Sequence, residues 1–184
     1  DWKMISFSHQ DKLLLKAGEY LIPKDSSLFE IQNMFQTGKT ITRRFTLIEG
    51  SSSINLRTKL LSNKYLSGEI PTLMEGIYKP DTYHFKYGHS RVKLLNRMEK
   101  AQNISINKVW KNKPKDFILR NKRELLILAS IIQREAKSFE DSKLVASVFI
   151  NRMRKKMKLQ SDVTLAFGLN INGKYITKKM LKSS

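Results

Sequence analysis

The first 40 residues combine a strand-like stretch with the start of an amphipathic helix. Residues 19–22 read Glu-Tyr-Leu-Ile and are followed by a proline, which predicts a short strand. Ser27 and Glu30 have the spacing of a capping box, in which the serine oxygen accepts a backbone N–H and the glutamate bonds back. Apolar residues follow at helical spacing, and Gly38 is a suitable stop. The pattern therefore predicts a strand and then a helix that ends at Gly38.

A second strand and a second helix follow directly. Side chains over residues 41–47 alternate in the manner of a half-buried strand, with Phe45 and Leu47 on one face. Gly50 ends this strand, and the serines at 51–53 can cap a helix that continues to about Tyr65. The order strand, helix, strand, helix predicts a small α/β module.

The rest of the chain is richer in helix signals. Residues 67–79 have the glycines and prolines of a connection, and residues 91–102 have the pattern of a helix. The strongest helical patterns cover 121–138 and 140–157, and the break between them is so short that a helical hairpin is expected. A last short helix is predicted over 174–182. The fold class is therefore α+β, a small α/β module followed by a mixed, helix-rich domain.

The charge balance narrows the class of partner. The 184 residues include 35 Lys and Arg against 16 Asp and Glu, which gives a net charge of +19. This charge excludes an acidic buffer protein and indicates an anionic partner, which is a nucleic acid, a membrane surface or an acidic polymer. Cysteine is absent, so disulfides, thiolate metal sites and a cysteine nucleophile are excluded. The three histidines lack HExxH spacing, and we expect neither a metal nor a cofactor.

Glu135 is the most informative single residue. On a helical wheel it falls inside the apolar arc of the predicted helix 121–138, between Leu128 and Ile131. A carboxylate that faces an apolar wall loses hydration, which raises its pKa and lets it act as a general acid near neutral pH. The alternative is a glutamate at the edge of the core that pairs with one of the many lysines or arginines.

Two further stretches carry polar groups that suit a polyhydroxylated ligand. Residues 159–164 place amide, hydroxyl and carboxyl groups close together, and the alternative is an ordinary polar loop with Asp162 as a helix N-cap. Residues 75–85 place aromatic rings beside carboxylates, with Glu75, Asp81 and Tyr83 as candidate sugar contacts. The alternative for this second stretch is a structural turn, because proline restricts the chain and aspartate can cap it.

A nucleic-acid-binding surface has less support. The densest run of positive charge, within residues 152–158, has the alternative of a solvated helix end, where cations also suit the helix dipole. The sequence contains no helix-turn-helix with a basic recognition face, no strand of aromatic residues typical of RNA-binding domains and no glycine-rich phosphate loop. We therefore expect no nucleic-acid partner.

These stretches occur together and in one order. Residues 128–136 (LASIIQREA) lead into 145–153 (VASVFINRM) and then 157–164 (MKLQSDVT), with 15–20 (LKAGEY) and 75–83 (EGIYKPDTY) upstream. Together they resemble the YceG-like family, the endolytic murein transglycosylases. The resemblance covers nearly the whole chain, and the block over 128–164 is long and specific.

The resemblance implies a bacterial envelope enzyme that cuts peptidoglycan glycan strands. It implies a LysM-like module over residues 1–68 and a catalytic domain over 69–184. The family's catalytic glutamate carries over to Glu135, while another glutamate that is frequent in this motif is replaced here by Gln133. Cleft residues carry over to the Gln-Ser-Asp-x-Thr stretch, which comprises Gln160, Ser161, Asp162 and Thr164. Peptidoglycan strands and cell-wall synthesis enzymes are the implied partners.

The sequence also departs from the family pattern. Family members usually carry one transmembrane helix before this region and Tyr-Asn-Thr-Tyr and Gly-Leu-Pro-Pro-Gly-Pro-Ile stretches after it. We therefore expect a catalytic domain that is incomplete at its C terminus and a location at the extracytoplasmic face of the inner membrane. The residues before Asp81 are Gly-Ile-Tyr-Lys-Pro, and this sequence also differs from the Leu-Phe-Pro that is usual in the family. The alternative function is a non-catalytic peptidoglycan-binding protein, and a nucleic-acid-binding protein comes third.

Overall fold

The computed structural model describes residues 15–161 and 164. Within this part the helices and strands follow one another as α1 (Leu28–Thr37), β1 (Arg43–Leu47), α2 (Ser53–Ser62), β2 (Leu66–Ser67), β3 (Asp81–Phe85), β4 (His89–Ser90), α3 (Arg91–Lys111), α4 (Lys122–Glu135) and α5 (Phe139–Arg154). This mixed content confirms the α+β class. The likeness of the first part to a LysM module stays a prediction, and the helix predicted over 174–182 lies outside the described residues.

Local capping explains why α1 begins and ends where the sequence predicts. The Ser27 hydroxyl accepts the backbone N–H of Glu30, and a Glu30 carboxylate oxygen accepts the backbone N–H of Ser27 at 2.7 Å. Both bonds satisfy N–H groups that the first turn of a helix leaves without intrahelical partners. At the other end Gly38 adopts φ +71° and donates its N–H to the Met34 carbonyl. Glycine takes this left-handed conformation without a steric cost.

The strand predicted over residues 19–22 is wrong. This stretch makes one backbone hydrogen bond within the described residues, from Ile41 N–H to the Glu19 carbonyl at 2.7 Å. Leu21 is 74% exposed and Ile22 is 49% exposed, so their apolar side chains pack against little. A β-ladder needs successive bonds and a buried face. The apolar run 19–22 has neither of these.

The sheets are small and place their apolar side chains on one side. β1 pairs with β3 in antiparallel register, with Phe45 opposite Tyr83. Phe45 and Leu47 on β1 and Tyr83 and Phe85 on β3 are all buried, which confirms the alternation predicted for the first of these strands. β2 and β4 pair in parallel over two residues each.

The first hydrophobic core packs the sheet against α2 and α3. Its buried residues are Phe45, Leu47, Leu56, Leu60, Leu66, Tyr83, Phe85, Leu94, Leu95 and Met98. The cluster therefore continues across residue 68, the division expected between the two domains. A short helix and a few strands bury too little apolar surface by themselves, and the β3 and α3 side chains complete this core.

Arg91, the first residue of α3, ties this core to the loops around it. Its guanidinium donates to the backbone carbonyls of Leu60 at 3.0 Å, Gly68 at 2.7 Å and Asn63 at 3.2 Å. The carbonyls of Leu60 and Asn63 lie at the C-terminal end of α2, where helix carbonyls lack intrahelical partners. The Arg91 side chain thus satisfies three backbone carbonyls that lie between 23 and 31 residues before it in the sequence.

α3 is longer than the predicted helix 91–102, and it leads into a second core. It continues to Lys111, because apolar positions such as Ile106 and Trp110 keep helical spacing and the next proline is Pro114. The second core contains the buried residues Leu119, Leu128, Ile131 and Phe149. The hairpin of α4 and α5 that forms this core is confirmed, with both helices ending three residues earlier than predicted. No helix among the described residues is both long and apolar enough to cross a membrane.

Candidate functional site

Glu135 is the last residue of α4 and lies at the edge of the second core. The buried residues of this helix are Leu128 and Ile131, which confirms the apolar arc predicted from periodicity. The side chain of Glu135 is half-buried, whereas Gln133 and Arg134 beside it are exposed. The helix stops here because Ala136 adopts an extended conformation and Ser138 then caps α5. Glu135 therefore projects from a helix end that packing holds in place.

Ser161 holds one oxygen of this carboxylate. Its hydroxyl donates a hydrogen bond to Oε1 of Glu135, across 26 residues of sequence. Ser161 is 4% exposed, and among the described polar and charged residues it is the one that is buried. A buried hydroxyl without a partner is costly, so this bond fixes the Ser161 side chain as well as the carboxylate.

Glu135 takes part in no ion pair among the described residues. Within residues 15–161 the ion pairs join Arg43 to Glu19, Lys79 to Asp81, Lys143 to Glu140 and Arg154 to Asp116, and none of them includes Glu135. In a chain of net charge +19, a half-buried carboxylate without a cationic partner is unusual. Glu135 is therefore not held as one half of a structural ion pair in this part of the molecule.

A tight turn after α5 brings Ser161 back to Glu135. Lys156 and Gln160 have φ values of +56° and +53°, the left-handed conformation that residues other than glycine seldom adopt. The guanidinium of Arg152 donates to the backbone carbonyl of Leu159, and Leu159 packs against the second core. The left-handed residues reverse the chain, and Arg152 with Leu159 holds the returning segment against the helix hairpin.

The other residues predicted in this loop have different surroundings. The Gln160 side chain is exposed next to Ser161. Thr164 is exposed, and its hydroxyl and backbone N–H both donate to the Ser161 carbonyl, at 2.6 and 3.2 Å. Asp162 lies outside the described residues. The structure therefore brings Glu135, Ser161 and Thr164 together in one hydrogen-bonded set, with Gln160 beside them.

The upstream candidates lie in the first part of the fold. Glu75 accepts the backbone N–H and the hydroxyl of Ser53, at 2.8 and 2.6 Å, and so caps the start of α2. The exposed Asp81 accepts its neighbour's backbone N–H and pairs with Lys79 at 3.5 Å. Tyr83 is buried, and its hydroxyl donates to the Lys79 carbonyl at 2.9 Å.

None of these three side chains hydrogen-bonds to Glu135 or Ser161 within the described residues. The connection between the two regions runs through Gly76. A Cβ built at this glycine would lie 3.0 Å from the Leu126 side chain, on α4. The segment 75–83 therefore touches the helix that carries Glu135 by packing.

Sequence reasoning missed the residues that position this site. Arg152 belongs to a basic run that looks like a solvated helix end, yet its side chain is half-buried and bound to a carbonyl. Gln133 donates to a Glu49 carboxylate oxygen at 3.2 Å, a contact between residues 84 apart. No local pattern indicates either contact, because each joins segments that are brought together only in the folded chain.

The chemistry available to this arrangement is proton transfer. One oxygen of Glu135 accepts a hydrogen bond from Ser161, and the other oxygen has no hydrogen-bond partner among the described residues. The carboxyl is half-exposed and can reach a ligand. The described residues contain no group of three or more His, Asp or Glu side chains that could hold a metal ion. The site is therefore built around a single carboxyl with a fixed orientation.

These features define the chain as an α+β protein whose candidate site is centred on a single carboxyl. Comparison with known proteins gives its family. The model of the YceG-like family matches residues 2–184, and the chain belongs to this family. A 2.6 Å crystal structure of a YceG-like protein from Listeria monocytogenes matches 91% of this chain and 66% of that chain. The two share 25% sequence identity, with a TM-score of 0.61.

Curated relatives match a shorter region. A protein of Bacillus subtilis named endolytic murein transglycosylase is 32% identical over 110 residues, which are 58% of this chain and 29% of that protein. One of Streptococcus pneumoniae with the same name is 30% identical over 105 residues, which are 56% of this chain and 18% of that protein. The matched region therefore spans less than a third of each of these relatives.

Proposed function

We propose that this chain carries the catalytic region of an endolytic lytic transglycosylase that cleaves peptidoglycan glycan strands. The observation that supports the proposal most directly is the Glu135 carboxyl, which is half-buried, outside the ion pairs of the described chain and oriented by the buried Ser161 hydroxyl. Relatives that bear the name endolytic murein transglycosylase support the substrate class.

In the proposed reaction Glu135 acts first as a general acid. Its proton passes to the glycosidic oxygen that joins C1 of N-acetylmuramic acid to N-acetylglucosamine, and the bond from C1 to that oxygen breaks. The N-acetylglucosamine end leaves as an alcohol, positive charge develops at C1 and the ring oxygen, and Glu135 becomes a carboxylate. The negative carboxylate then favours the positively charged, oxocarbenium-like state beside it.

In the second step Glu135 acts as a general base. The carboxylate removes the proton of the C6 hydroxyl of the same muramic acid, and O6 forms a bond to C1. The product is a 1,6-anhydro end, Glu135 is protonated again, and no water is consumed. Ordinary glycosidases need two carboxyl groups about 5–10 Å apart. One carboxyl suffices here because the substrate supplies its own nucleophile.

The neighbouring residues divide between orientation and substrate contact. The buried Ser161 fixes the Glu135 carboxyl, whereas the exposed Gln160 and Thr164, with Asp162, are proposed to contact the sugar. We further propose that the reaction occurs at the extracytoplasmic face of the membrane, where peptidoglycan is found.

The proposal is tested by replacing Glu135 with glutamine, which keeps the shape of the side chain and removes its acid–base function. The 184-residue chain and the Glu135→Gln variant are incubated with purified sacculi, and the released material is analysed by mass spectrometry. Glu99→Gln is the matched control, because Glu99 is exposed on α3. We expect anhydro-muropeptides from the parent and the control, and a loss of at least 100-fold in Glu135→Gln.

Two outcomes contradict this assignment. Anhydro-muropeptide release at the parent rate by Glu135→Gln removes Glu135 from the reaction. Co-sedimentation of the parent chain with sacculi, without any new anhydro ends, supports instead the alternative of a non-catalytic peptidoglycan-binding protein. Circular dichroism and thermal unfolding of all three proteins establish that the comparison is made between folded chains.

A further inference from the structure

A concave, positively charged groove lies beside β1, in the first part of the fold. Its volume is about 350 Å³, and its polar lining comes from the strand, from the C-terminal end of α2 and from the residues that follow this helix. The main polar contributors are Arg44, Lys59, Ser62, Asn63, Lys64 and Tyr65. None of these residues belongs to the Glu135 site.

The cations of this groove lack acidic partners. Arg44, Lys59 and Lys64 form no ion pair within the described residues, and the groove lining includes no Asp or Glu. The adjacent Arg43 is different, because its guanidinium is held by both carboxylate oxygens of Glu19 at 2.6 and 2.7 Å. The charge of Arg43 is thus neutralised by a carboxylate, whereas the charges of the groove are not, although the Lys59 ammonium donates to the Thr46 carbonyl.

The groove also presents donors more than acceptors. The end of a helix normally exposes carbonyls with partial negative charge, but the carbonyls of Leu60 and Asn63 are bound by Arg91. The side-chain oxygen of Asn63 accepts the Tyr65 N–H at 3.1 Å, and its NH2 group has no partner within the described residues. The Ser62 hydroxyl donates to the Lys59 carbonyl, and the Lys59 ammonium donates to the Thr46 carbonyl. The donors that remain are those of Arg44, Lys64 and the Asn63 amide, and cationic donors with few free acceptors beside them match a ligand with anionic oxygens.

The aromatic residues of the groove narrow the class of polyanion. Arg43 and Lys64 both lie over the Tyr65 ring, at 3.3 and 5.2 Å from its centroid, and Phe45 is buried. Single-stranded nucleic acids use free aromatic faces on which bases stack, and the groove offers none that is unoccupied. A concave groove also fits one extended chain better than the flat surface of a membrane.

We propose that this groove binds a linear polyol phosphate polymer, in which phosphodiesters alternate with short hydroxylated units. The Arg44 guanidinium has the fork geometry that binds phosphate oxygens in pairs. Lys59 and Lys64 add point charges to the same groove, which suits a chain that repeats its charge at each unit. Because its residues are separate from Glu135, this binding is independent of the proposed cleavage chemistry.

The test measures binding of fluorescein-labelled poly(glycerol phosphate) of defined length to the 184-residue chain by fluorescence anisotropy. The groove variant is Arg44→Gln with Lys64→Gln, and the matched control is Arg120→Gln with Lys108→Gln, two exposed cations elsewhere that lower the net charge equally. We expect the groove variant to bind at least about tenfold more weakly and the control to change by less than about threefold. Glu135→Gln is expected to bind as the parent does.

Each alternative outcome overturns the proposal. Equal weakening by the groove variant and the control means that the polymer senses only net charge. Single-stranded DNA of equal charge that binds as tightly, and loses as much affinity in the groove variant, indicates a general polyanion or nucleic-acid surface. Tighter groove-dependent binding to vesicles of anionic phospholipid indicates a membrane. Thermal unfolding of each variant confirms that the compared proteins are folded.

Discussion

Replacing Ser161 with alanine removes one hydrogen bond from the candidate site and leaves every other contact of Glu135 in place. A hydrogen bond to a charged group contributes about 1.5–3 kcal/mol to stability when its partner is buried. Glu135 is half-exposed, so water can replace part of the lost bond, and we expect the free energy of unfolding to fall by about 1–2 kcal/mol. For a chain of this length the midpoint of thermal unfolding falls by about 2–4 °C per kcal/mol.

The effect on catalysis is expected to be larger than the effect on stability. Without Ser161 the carboxyl can rotate away from the glycosidic oxygen, and a displacement of about 1 Å costs roughly 100-fold in rate. We therefore expect the rate of anhydro-muropeptide release to fall about 10- to 100-fold in Ser161→Ala, with little change in binding to sacculi. Ser161→Thr keeps the hydroxyl donor and should retain more activity than the alanine variant.

Comparison of the rate with binding to sacculi separates orientation of the carboxyl from a general loss of structure. The Ser161 hydroxyl donates to the Glu135 carboxylate, so its removal should lower the rate of anhydro-muropeptide release and leave binding to sacculi unchanged. Ser130→Ala is the control, because Ser130 is exposed on α4 and its hydroxyl bonds within its own helix. An unchanged rate in Ser161→Ala, or an equal loss of rate and of binding to sacculi, would refute the positioning role.

Three further predictions concern the framework. Arg91→Met leaves three backbone carbonyls without their donor and should lower the free energy of unfolding by about 2–4 kcal/mol in a urea titration; a change below about 0.5 kcal/mol contradicts this. Leu128→Ala should cost about 2–4 kcal/mol in the same assay because it opens a cavity in the second core, and a value typical of a surface site would contradict the packing. Burial and the charges of Arg97 and Lys93 lower the pKa of His89 below its ordinary 6.5, and its buried Nε2 has no partner in the described chain. The unfolded chain therefore binds a proton at His89 more readily than the folded chain does. The contribution of His89 to the free energy of unfolding is thus fully present above about pH 6.5 and is lost as the pH falls through that value towards the lower folded pKa. His89→Leu should reduce the loss of thermal stability on acidification, and an equal loss in both proteins would contradict this prediction.

The parts of the fold that the sequence predicts well are those determined by neighbours in the chain. The start of α1 follows from a capping box that spans four residues, and its end follows from Gly38. The strand-like run 19–22 failed because apolar character alone does not supply a pairing partner, and only the folded chain shows that Leu21 and Ile22 remain exposed. The division expected at residue 68 stays a prediction, and the first core contains pairs that are distant in sequence, such as Phe45 and Tyr83.

The candidate site was predictable to a similar extent. Helical periodicity alone placed Glu135 on the apolar arc of α4, because the arc is a local property. The hydrogen bond between Glu135 and Ser161 joins residues 26 apart in the sequence, and the chain between them contains two residues in the left-handed conformation. No spacing rule predicts this course of the chain. Only the resemblance to the YceG-like family placed both residues in one cleft. That resemblance implied sugar contact for Ser161, and in the fold its buried hydroxyl donates to the Glu135 carboxylate, which supports the proposed orienting role.

The segment 75–83 lies against α4, the helix that carries Glu135, at Gly76. Gly76 has φ +77°, and a side chain there would meet Leu126 on α4 at 3.0 Å. Gln102 fixes the same residue by donating to its carbonyl at 3.1 Å. A larger residue at this position would be strained by its own backbone and would meet the end of the Leu126 side chain on α4. Within this segment Gly76 is thus the residue that lies against α4, while Glu75 caps α2 and Tyr83 is buried in the first core. Sugar contact by Glu75, Asp81 and Tyr83 stays a prediction.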